Sequence, residues 1–400
     1  MRYIGQGLSS LETFCSLMCL PNPVSQKAYD RINAKIADIS EALANASMKK
    51  AAAEEKIIDG TVNSVVVSGD GTWKTRGHTS LIGVCALIGA DCGKVLDMEV
   101  MSSYCKGCDS YKGPKIFFFR SEQKHGLKYQ RYIGDGDSKT FSSIAEKKPY
   151  GDSVPIEKIE CVGHVQKRMG SRLQKLKALW GEKKLSDGKT IGGKGRLTDA
   201  IISKLTTFYG NVIRANFHNV NEMRQAVWAV WAHTSSTDDE PKHWFCPKGK
   251  NSWCKYNVSV HNNTVNEFSH KNTLPKAVSE VIKPVFKDLS HLKLLRRCLG
   301  GKTQNANESL NSLISKYSPK LIGSGINVTK IAAFIAACEY NDGSRNRIDL
   351  MRALNLKINK TNVLNCVNID KVRKSTTKRQ VSKTSFEARK AKKLKILKQI

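Results

Sequence analysis

Apolar residues recur every three or four positions in the N-terminal part of the chain. The positions with this spacing are Ala28, Ile32, Ile36, Ile39 and Leu43. Such spacing is typical of an amphipathic helix whose apolar stripe faces a core. Two prolines precede Ser25, which is a suitable N-cap. The pattern therefore predicts a helix from Ser25 to roughly Ile57, as part of a packing arm.

Beyond this helix the pattern changes to short apolar runs bounded by glycine and polar residues, which is typical of strands. In chain order, the predicted elements are strands Val65–Asp70, Leu81–Ala90 and Lys94–Met101, helix Lys115–Lys124, strand Tyr129–Asp135, helix Ser138–Lys147 and strand Ile156–Cys161. This β-β-β-α-β-α-β order is that of the ribonuclease H-like fold, in which two crossover strands extend three antiparallel ones. We therefore expect an α/β protein with a mixed sheet.

The chain after His164 has mainly helical periodicity. One predicted helix carries an apolar side formed by Val165, Met169, Leu173, Leu176 and Trp180, and later helices are predicted at Asn305–Tyr317 and Val328–Tyr340. From Val372 the chain is basic and poor in aromatic residues, which predicts disorder or nascent helix until a polyanion binds. We expect an N-terminal helical arm at 1–60, a first core segment at 61–164, a mainly helical insertion at 165–300, a completing core segment at 301–365 and a basic tail at 366–400.

The charge of this 400-residue chain is strongly basic, with 66 Lys and Arg against 35 Asp and Glu and a formal net charge of +31. Such an excess bears on partners and favours DNA or RNA. The longest apolar run, Leu81–Ala90, is about half of the ~20 residues that a membrane-spanning helix needs, so no membrane partner is expected. No secretory signal is evident, so the 12 cysteines are expected to be reduced thiols or metal ligands. The basic tail favours a nuclear location.

Three acidic residues lie where a phosphoryl-transfer enzyme would place its metal ligands. Asp70 and Asp135 end predicted strands, and Glu308 lies on a predicted helix. Two divalent ions about 3.5–4 Å apart stabilise the attacking and leaving oxygens of such a reaction. Carboxylate oxygens suit Mg²⁺ or Mn²⁺. We expect Asp70 to bridge both ions, Asp135 to bind one of them, and Glu308 to close the site.

Each of these acids also has a simpler interpretation. Asp70 and Gly71 form a common turn pair. Asp137 competes with Asp135 as the second metal ligand, or it caps the following helix. Glu308 on its own would be a solvent-facing helix residue. Spacing alone leaves these alternatives open.

The cysteine and histidine spacing suggests a second, structural metal site. Cys161 and His164 have C-x-x-H spacing, which is short enough for both to bind one zinc ion. Cys246 and Cys254 would complete a tetrahedral site that holds the helical insertion on the core. The alternative is a set of buried thiols beside a core histidine.

Two groups of residues are expected to contact DNA. Close to Asp70, the chain offers Trp73, Arg76 and His78, for which a packed tryptophan and a solvated arginine are the equally compatible alternative. The basic helix after His164 offers Lys167, Arg168, Arg172 and Lys175 to phosphates. Phosphate contacts of this kind position a protein on DNA without reading its sequence.

Several motifs resemble, in the same order, those of the Mutator-like transposases of animal genomes. The matching segments are Asp70–Trp73, Arg76–Ser80, Gly93–Asp97, Tyr104–Cys108, Gly134–Lys139, Cys161–Lys167, Cys246–Gly249, Ser252–Tyr256 and Gly301–Asn311. The resemblance implies a DDE transposase with a ribonuclease H-like core and an α-helical insertion before the glutamate-bearing helix. It implies metal-dependent cleavage and strand transfer in DNA transposition, by a homo-oligomer bound to transposon ends and target DNA.

Two departures from the family pattern favour a second hypothesis. The segment after the Cys105–Cys108 pair is shorter than in family members, and the chain starts within the family pattern. Both features are expected of a catalytically inactive, transposase-derived protein that binds DNA without cutting it. A ribonuclease that cleaves RNA would share the fold and is the third hypothesis.

Overall fold

The computed structural model describes residues 6–60, 63–73, 80–102, 115–135, 139–271, 273–320 and 325–384. It is a mixed α/β structure whose sheet consists of β1 (Ser64–Trp73), β2 (Ile82–Gly89), β3 (Val95–Ser102), β4 (Lys128–Gly134) and β5 (Glu157–Glu160). The strand order is β3-β2-β1-β4-β5. Strands β2 and β3 pair antiparallel, whereas β4 and β5 pair parallel, with Gly134 opposite Glu160. The predicted α/β class and mixed sheet are confirmed.

Helices account for most of the remaining described residues. They are α1 (Leu8–Leu17), α2 (Gln26–Asp59), α3 (Lys115–His125), α4 (Lys139–Lys147), α5 (Val162–Leu179), α6 (Asp199–Ala215), α7 (Val220–Thr234), α8 (Lys255–His261), α9 (Lys276–Leu289), α10 (Leu292–Arg296), α11 (Asn305–Tyr317), α12 (Ile326–Asp342), α13 (Asn346–Ala353) and α14 (Lys360–Thr384). Helix α14 thus extends well into the basic segment for which disorder or nascent helix was the expectation. Within the described part of the chain, no helix is long and apolar enough to cross a membrane.

The chain forms two compact units. Unit 1 comprises Met1–Val65, Gly71–Lys128 and Ala306–Ile400, and unit 2 comprises Val66–Asp70 and Tyr129–Asn305. Each unit has its own apolar core of buried side chains. The ten cysteines among the described residues are free thiols, as predicted.

The core of unit 1 places α2 against α12 through small side chains. On α2 the buried positions include Ala37, Ser40 and Ala44, and on α12 they include Ala333 and Ala336. Small residues let two helix backbones approach closely. The predicted apolar stripe of α2 therefore lies beside the contact rather than in it: Ile36, Ile39 and Leu43 are partly buried, and Ile32 is 47% exposed.

Helix α2 also fixes the turn of the β2–β3 hairpin. The Glu55 carboxylate is fully buried and accepts hydrogen bonds from the backbone N–H groups of Asp91 (3.2 Å) and Cys92 (2.7 Å). Within the turn, Gly93 adopts φ +67°, which favours glycine. Glu55 and Gly93 together thus fix the turn between β2 and β3.

Strand β3 is at one edge of the sheet, and a side chain of α12 forms hydrogen bonds with its backbone. The Asn341 amide accepts from the Val95 N–H at 2.8 Å and donates to the Val95 carbonyl at 2.9 Å. Val95 also pairs with Ile88 on β2. Asn341 therefore takes the place of a further strand at this position of the sheet edge.

The core of unit 2 is helical and centres on α5. Val165, Met169 and Leu173 are fully buried, and Leu176 and Trp180 pack against them, so the predicted apolar side of this helix is confirmed. Tyr209 of α6 is buried in the same core, and its hydroxyl donates to the Leu289 carbonyl at 2.9 Å. The core holds α5 firmly, which fixes the side chains at its N-terminus.

Candidate active site and metal centre

Asp70 lies within β1, in unit 2. The preceding Val65, Val66 and Val67 are buried, and the strand continues past Asp70 to Trp73. Asp70 and Gly71 are therefore in extended backbone, so the turn interpretation of this pair is wrong. The Gly69 carbonyl accepts hydrogen bonds from Gln304 Nε2 (2.8 Å) and the Tyr132 hydroxyl (3.2 Å). These buried contacts fix the backbone directly before the Asp70 carboxylate.

Asp135 directly follows β4, the strand next to β1 in the sheet. Its side chain is 56% exposed, and its Oδ1 lies 3.1 Å from Nδ1 of His164 in the first turn of α5. The parallel register of β4 and β5 explains this contact, because Gly134 is opposite Glu160 and both strands end at the same edge. Asp70 and Asp135 thus lie on neighbouring strands of the same unit.

Glu308 lies in the first turn of α11 and belongs to unit 1, where it is exposed. The apolar face of this helix is buried: Leu310 and Ile314 are in the core of unit 1, and Leu313 is partly buried beside them. The neighbouring Asn307 is buried and donates to the Ala86 carbonyl of β2 at 3.4 Å. Glu308 therefore lies on the exposed, polar face of α11.

The C-x-x-H pair is placed differently from the predicted zinc site. Cys161 is the buried N-cap residue of α5, and His164 faces Asp135. The structure does not group either of them with Cys246 and Cys254. The physical reason is the position of α5, which starts at the sheet edge directly after β5 and so directs His164 to the end of β4.

Instead, Cys246 and Cys254 meet two histidines in unit 2. His233 lies in the last turn of α7, His243 and Cys246 lie in the following loop, and Cys254 directly precedes α8. The four potential ligand atoms lie within 4.8 Å of one another, and this group could hold a metal ion. All but the half-buried His233 are buried.

The ligand atoms of this His₂Cys₂ cluster face one another. The two Nδ1 atoms of His233 and His243 are 3.3 Å apart. Cys254 Sγ is 3.6 Å from Nδ1 of His233 and 3.4 Å from Nδ1 of His243, and Cys246 Sγ is 3.8 Å from both nitrogens. The atoms that bind soft or borderline metal ions therefore point at one common centre.

Polar groups behind the cluster orient His243. Its Nε2 lies 2.9 Å from the Ser236 hydroxyl and 2.8 Å from Nε2 of His270. His270 in turn contacts Asp238, whose Oδ1 lies 2.5 Å from the His270 Nδ1. The backbone N–H and the ring of His270 hold the pKa of Asp238 below its ordinary value. Such outer partners are typical of histidines that bind a metal through the opposite ring nitrogen.

The two thiols of the cluster shift each other's pKa in opposite directions. A hydrogen bond from Cys246 lowers the pKa of the Cys254 thiol, and the same contact raises the pKa of Cys246. Thiolate is the form that binds metals. One thiolate is thus favoured here by its neighbours in the protein.

A family model of the Mutator-like transposase matches residues 1–118 and 115–254. The chain belongs to the Mutator-like transposase family. A search of curated proteins and a search of solved structures found no match. Membership implies a transposase role, with DNA binding and DNA cleavage in general. The matched residues include Asp70, Asp135 and the whole His₂Cys₂ cluster, whereas Glu308 lies beyond them.

The predicted DNA-contact residues of this Mutator-like transposase separate into two groups. On α5, Lys167 and Lys175 are exposed. The Arg168 guanidinium instead lies 2.7 Å from the buried Glu160 carboxylate, and Arg172 lies 3.3 Å from Asp288. Arg168 is therefore engaged within unit 2. Trp73 is the last residue of β1, while Arg76, His78, Asp137 and the Cys105–Cys108 pair lie outside the described residues.

His233 and His243 are the two cluster residues that the sequence patterns did not predict as metal ligands. A local signal for one of them was present, because His243 and Cys246 have the same three-residue separation as Cys161 and His164. Spacing alone gives both pairs equal weight as zinc ligands. Only the path of the chain from α7 to α8 shows which pair meets Cys254.

Proposed function

We propose that this Mutator-like transposase is a DDE-type enzyme that cleaves DNA strands at transposon ends and joins them to target DNA. The observation that carries the proposal is the placement of Asp70 on β1 and Asp135 at the end of the neighbouring β4, within one unit. The strand order β3-β2-β1-β4-β5, with an antiparallel and a parallel pair, supports a ribonuclease H-like core.

We assign Asp70, Asp135 and Glu308 as the catalytic acids and as ligands of two Mg²⁺ or Mn²⁺ ions. The donor set fits these ions, because all three residues offer hard carboxylate oxygens. When bound, two such metal ions stabilise the attacking and leaving oxygens of an in-line displacement. Asp70 would bind both metal ions, and Glu308 of α11 would complete the set of carboxylate ligands.

The residues around the acids would hold them in place. Gln304 and Tyr132 fix the backbone before Asp70, and His164 orients the Asp135 carboxylate through Nδ1. In the first reaction, water attacks a phosphorus atom and the bond to the 3′ oxygen breaks. In the second, the freed 3′ hydroxyl attacks a phosphate of target DNA and displaces the 3′ oxygen there.

The test is cleavage of transposon-end DNA and of supercoiled plasmid by the purified protein with Mn²⁺ or Mg²⁺. Asp70→Asn, Asp135→Asn and Glu308→Gln are expected to abolish cleavage while DNA binding persists. Asp137→Asn distinguishes Asp135 from Asp137 as the second catalytic acid. Cleavage that persists in Asp137→Asn but is lost in Asp135→Asn supports Asp135. Glu182→Gln alters an exposed acid and serves as the matched control.

The alternative functions predict different results in the same assay. A catalytically inactive, transposase-derived DNA-binding protein would bind DNA and cleave nothing at any metal concentration. A ribonuclease would prefer RNA to DNA. Equal cleavage by wild type and by both Asp70→Asn and Glu308→Gln would contradict the assignment of the acids.

We also propose that the transposase acts as a homo-oligomer on DNA and works in the nucleus. Two transposon ends must be processed together, which favours more than one active site. The net charge of +31 supports a polyanionic partner. Light scattering of the protein with and without end DNA, and imaging of the tagged full chain in cells, test the two statements.

A further inference from the structure

We propose that His233, His243, Cys246 and Cys254 bind one Zn²⁺ that joins the end of α7 to the start of α8. The set is Cys₂His₂ with four protein ligands, which is typical of closed structural zinc sites rather than catalytic ones. Its members come from three places in the chain: the last turn of α7, the following loop, and the residue before α8. The site is separate from Asp70, Asp135 and Glu308 in both position along the chain and ligand chemistry.

The distances between ligand atoms match a tetrahedral zinc ion. Bonds of about 2.0–2.1 Å to nitrogen and about 2.3 Å to sulfur place two nitrogens about 3.3 Å apart and a nitrogen and a sulfur about 3.6 Å apart. The two Nδ1 atoms are 3.3 Å apart, and the four nitrogen–sulfur distances range from 3.4 to 3.8 Å. Hydrogen bonding among two thiols and two imidazoles does not require this convergence of all four.

The outer contacts agree with coordination through Nδ1. The Nε2 of His243 is held by Ser236 and His270, and Asp238 holds His270 in turn. This arrangement fixes the ring orientation of His243 and leaves its Nδ1 facing the cluster. Tyr256 also stacks on the His243 ring, with centroids 4.2 Å apart.

The described residues between α7 and α9 contain little regular secondary structure. The regular structure of this segment consists of α8 and a short 3₁₀ turn at Val265–Glu267. Its local apolar cluster contains Ala229, Cys246 and Cys254, with Tyr256 packed beside them, so two of its core members are the proposed ligands. A bound ion would therefore supply much of the stability of this segment.

The test is the metal content of the full chain purified without added metal. One zinc per chain is expected in wild type, and Cys254→Ser or His243→Asn should lower this content severalfold. Cobalt substitution should give the visible absorption of tetrahedral thiolate-bound Co²⁺, a readout that does not depend on DNA cleavage. Chelation should lower the melting temperature of wild type.

Matched variants separate this site from other thiols and from the proposed active site. Cys161→Ser, Cys298→Ser and Asp70→Asn should retain zinc, because none of these residues belongs to the cluster. Zinc-free wild type that does not take up Co²⁺ would overturn the proposal. So would equal zinc loss in Cys161→Ser and Cys254→Ser. If Cys254→Ser does not fold, the cobalt spectrum of wild type still decides.

We also infer, from the surface of the same loop, that it binds unpaired DNA. Three aromatic side chains there are strongly exposed: Trp244 by 57%, Phe245 by 39% and Trp253 by 51%. Phe245 and Trp253 also line a cavity of about 590 Å³ in unit 2. Exposed aromatic groups of this size mark binding surfaces.

The positive charge of the same segment favours nucleic acid as the occupant. Lys248, Lys250 and Lys255 are exposed, and none of them forms an ion pair with the described residues of the protein. Aromatic faces combined with free lysines are the means by which proteins bind single strands, since bases stack on the rings and phosphates contact the ammonium groups. This inference rests on the DNA-binding role of the family and not on the catalytic acids.

The test is binding of a labelled oligothymidine and of a duplex of equal length, in buffer without Mg²⁺ or Mn²⁺. Trp244→Ala and Trp253→Ala should each weaken single-strand binding about tenfold, with little effect on the duplex. Phe14→Ala, on the equally exposed Phe14 of α1, is the control. Unchanged single-strand affinity in the double tryptophan variant would overturn the inference, and so would an equal loss for both DNA forms. If the tryptophan variants lose zinc, Phe245→Ala replaces them under the same criteria, because its exposed ring is also available to stack on a base.

Discussion

The imidazole Nδ1 of His164 lies 3.1 Å from the Asp135 carboxylate. The contact links the first turn of α5 to the end of β4, so a helix anchored in the core of unit 2 holds the side chain proposed to bind metal. Groups that hold a ligating carboxylate commonly contribute about 10–100-fold to metal affinity or activity. His164 is therefore a positioning residue in the proposed site.

We expect His164→Ala to reduce DNA cleavage by about 10–100-fold and to raise the Mn²⁺ concentration needed for half-maximal activity. The measurement is a Mn²⁺ titration of cleavage, with thermal unfolding to show that the fold is intact. His164→Asn should recover part of the loss, because its amide can still donate to Asp135. His261→Ala, on an exposed histidine, should behave as wild type.

Arg168 and Lys167 are neighbours in sequence but should respond differently to mutation. Lys167→Ala and Lys175→Ala should each weaken DNA binding and reduce the slope of log affinity against log salt by about 1, as expected for one phosphate contact. Binding isotherms at several salt concentrations give the slope. An unchanged slope in both lysine variants would show that this side of α5 does not contact DNA.

Arg168→Ala should act on stability instead. The Glu160 carboxylate is 3% exposed, and Arg168 is its nearest cation, ahead of Lys158 at 3.7 Å and Arg297 at 3.9 Å. Removing one partner of a buried ion pair commonly costs about 3–5 kcal/mol, and the two remaining cations should hold the loss near the lower value. Urea unfolding gives the change, and Arg172→Ala, which breaks an exposed pair with Asp288, should cost about 0–1 kcal/mol.

The Gly69 carbonyl before Asp70 has two donors, so their loss should not be additive. Tyr132→Phe or Gln304→Ala alone leaves this buried carbonyl with one of its two side-chain donors and should cost about 1 kcal/mol of unfolding free energy. Together they leave it without either donor, which should add a further coupling energy of about 1–2 kcal/mol. A double-mutant cycle in urea measures the coupling, and strict additivity would contradict this role for the pair.

His125 should make stability depend on pH. Burial lowers its pKa, and the nearby Asp97 offsets this only in part. In the unfolded chain His125 binds a proton near pH 6.5, its approximate ordinary pKa, whereas in the folded chain it does so at lower pH. The unfolded state therefore holds more protons in this window, and the unfolding free energy contributed by His125 falls as the pH drops below about 6.5.

His125→Phe should remove this part of the pH dependence. The measurement is urea unfolding of wild type and variant at about pH 7.5 and about pH 5.5, compared as a difference. Burial raises the pKa of Glu99, with Asp97 as a further cause, and this shifts stability in the opposite direction in both proteins. The difference therefore isolates His125, and an identical pH response in the two proteins would contradict the prediction.

Local periodicity predicted the elements well because each strand or helix carries its own pattern. The run Val65–Val67 gave β1, and the stripe through Val165 and Met169 gave α5. Local periodicity did not predict the buried face of α2. Ala37 and Ala44 are buried by α12, which is almost 300 residues away along the chain. A residue's own neighbours do not encode which distant helix will cover it.

The candidate sites show the same limit. Residue types made Asp70, Asp135 and Glu308 the candidate acids and included two of the four cluster residues, Cys246 and Cys254, because few side chains can do that chemistry. Spacing could not show which residues join Cys254 in the cluster. The C-x-x-H pattern at Cys161 and the H-x-x-C pattern at His243 are equivalent in this respect. The choice depends on where α5 and α7 end in space, which the core of unit 2 decides.

The contact between Asn341 and Val95 bears on how the transposase avoids unwanted association. An outermost strand with open N–H and C=O groups is a template for strands of other molecules and hence for aggregation. At Val95 both backbone groups are already bound by the Asn341 amide. Intermolecular strand pairing is thus blocked at this point by one side chain.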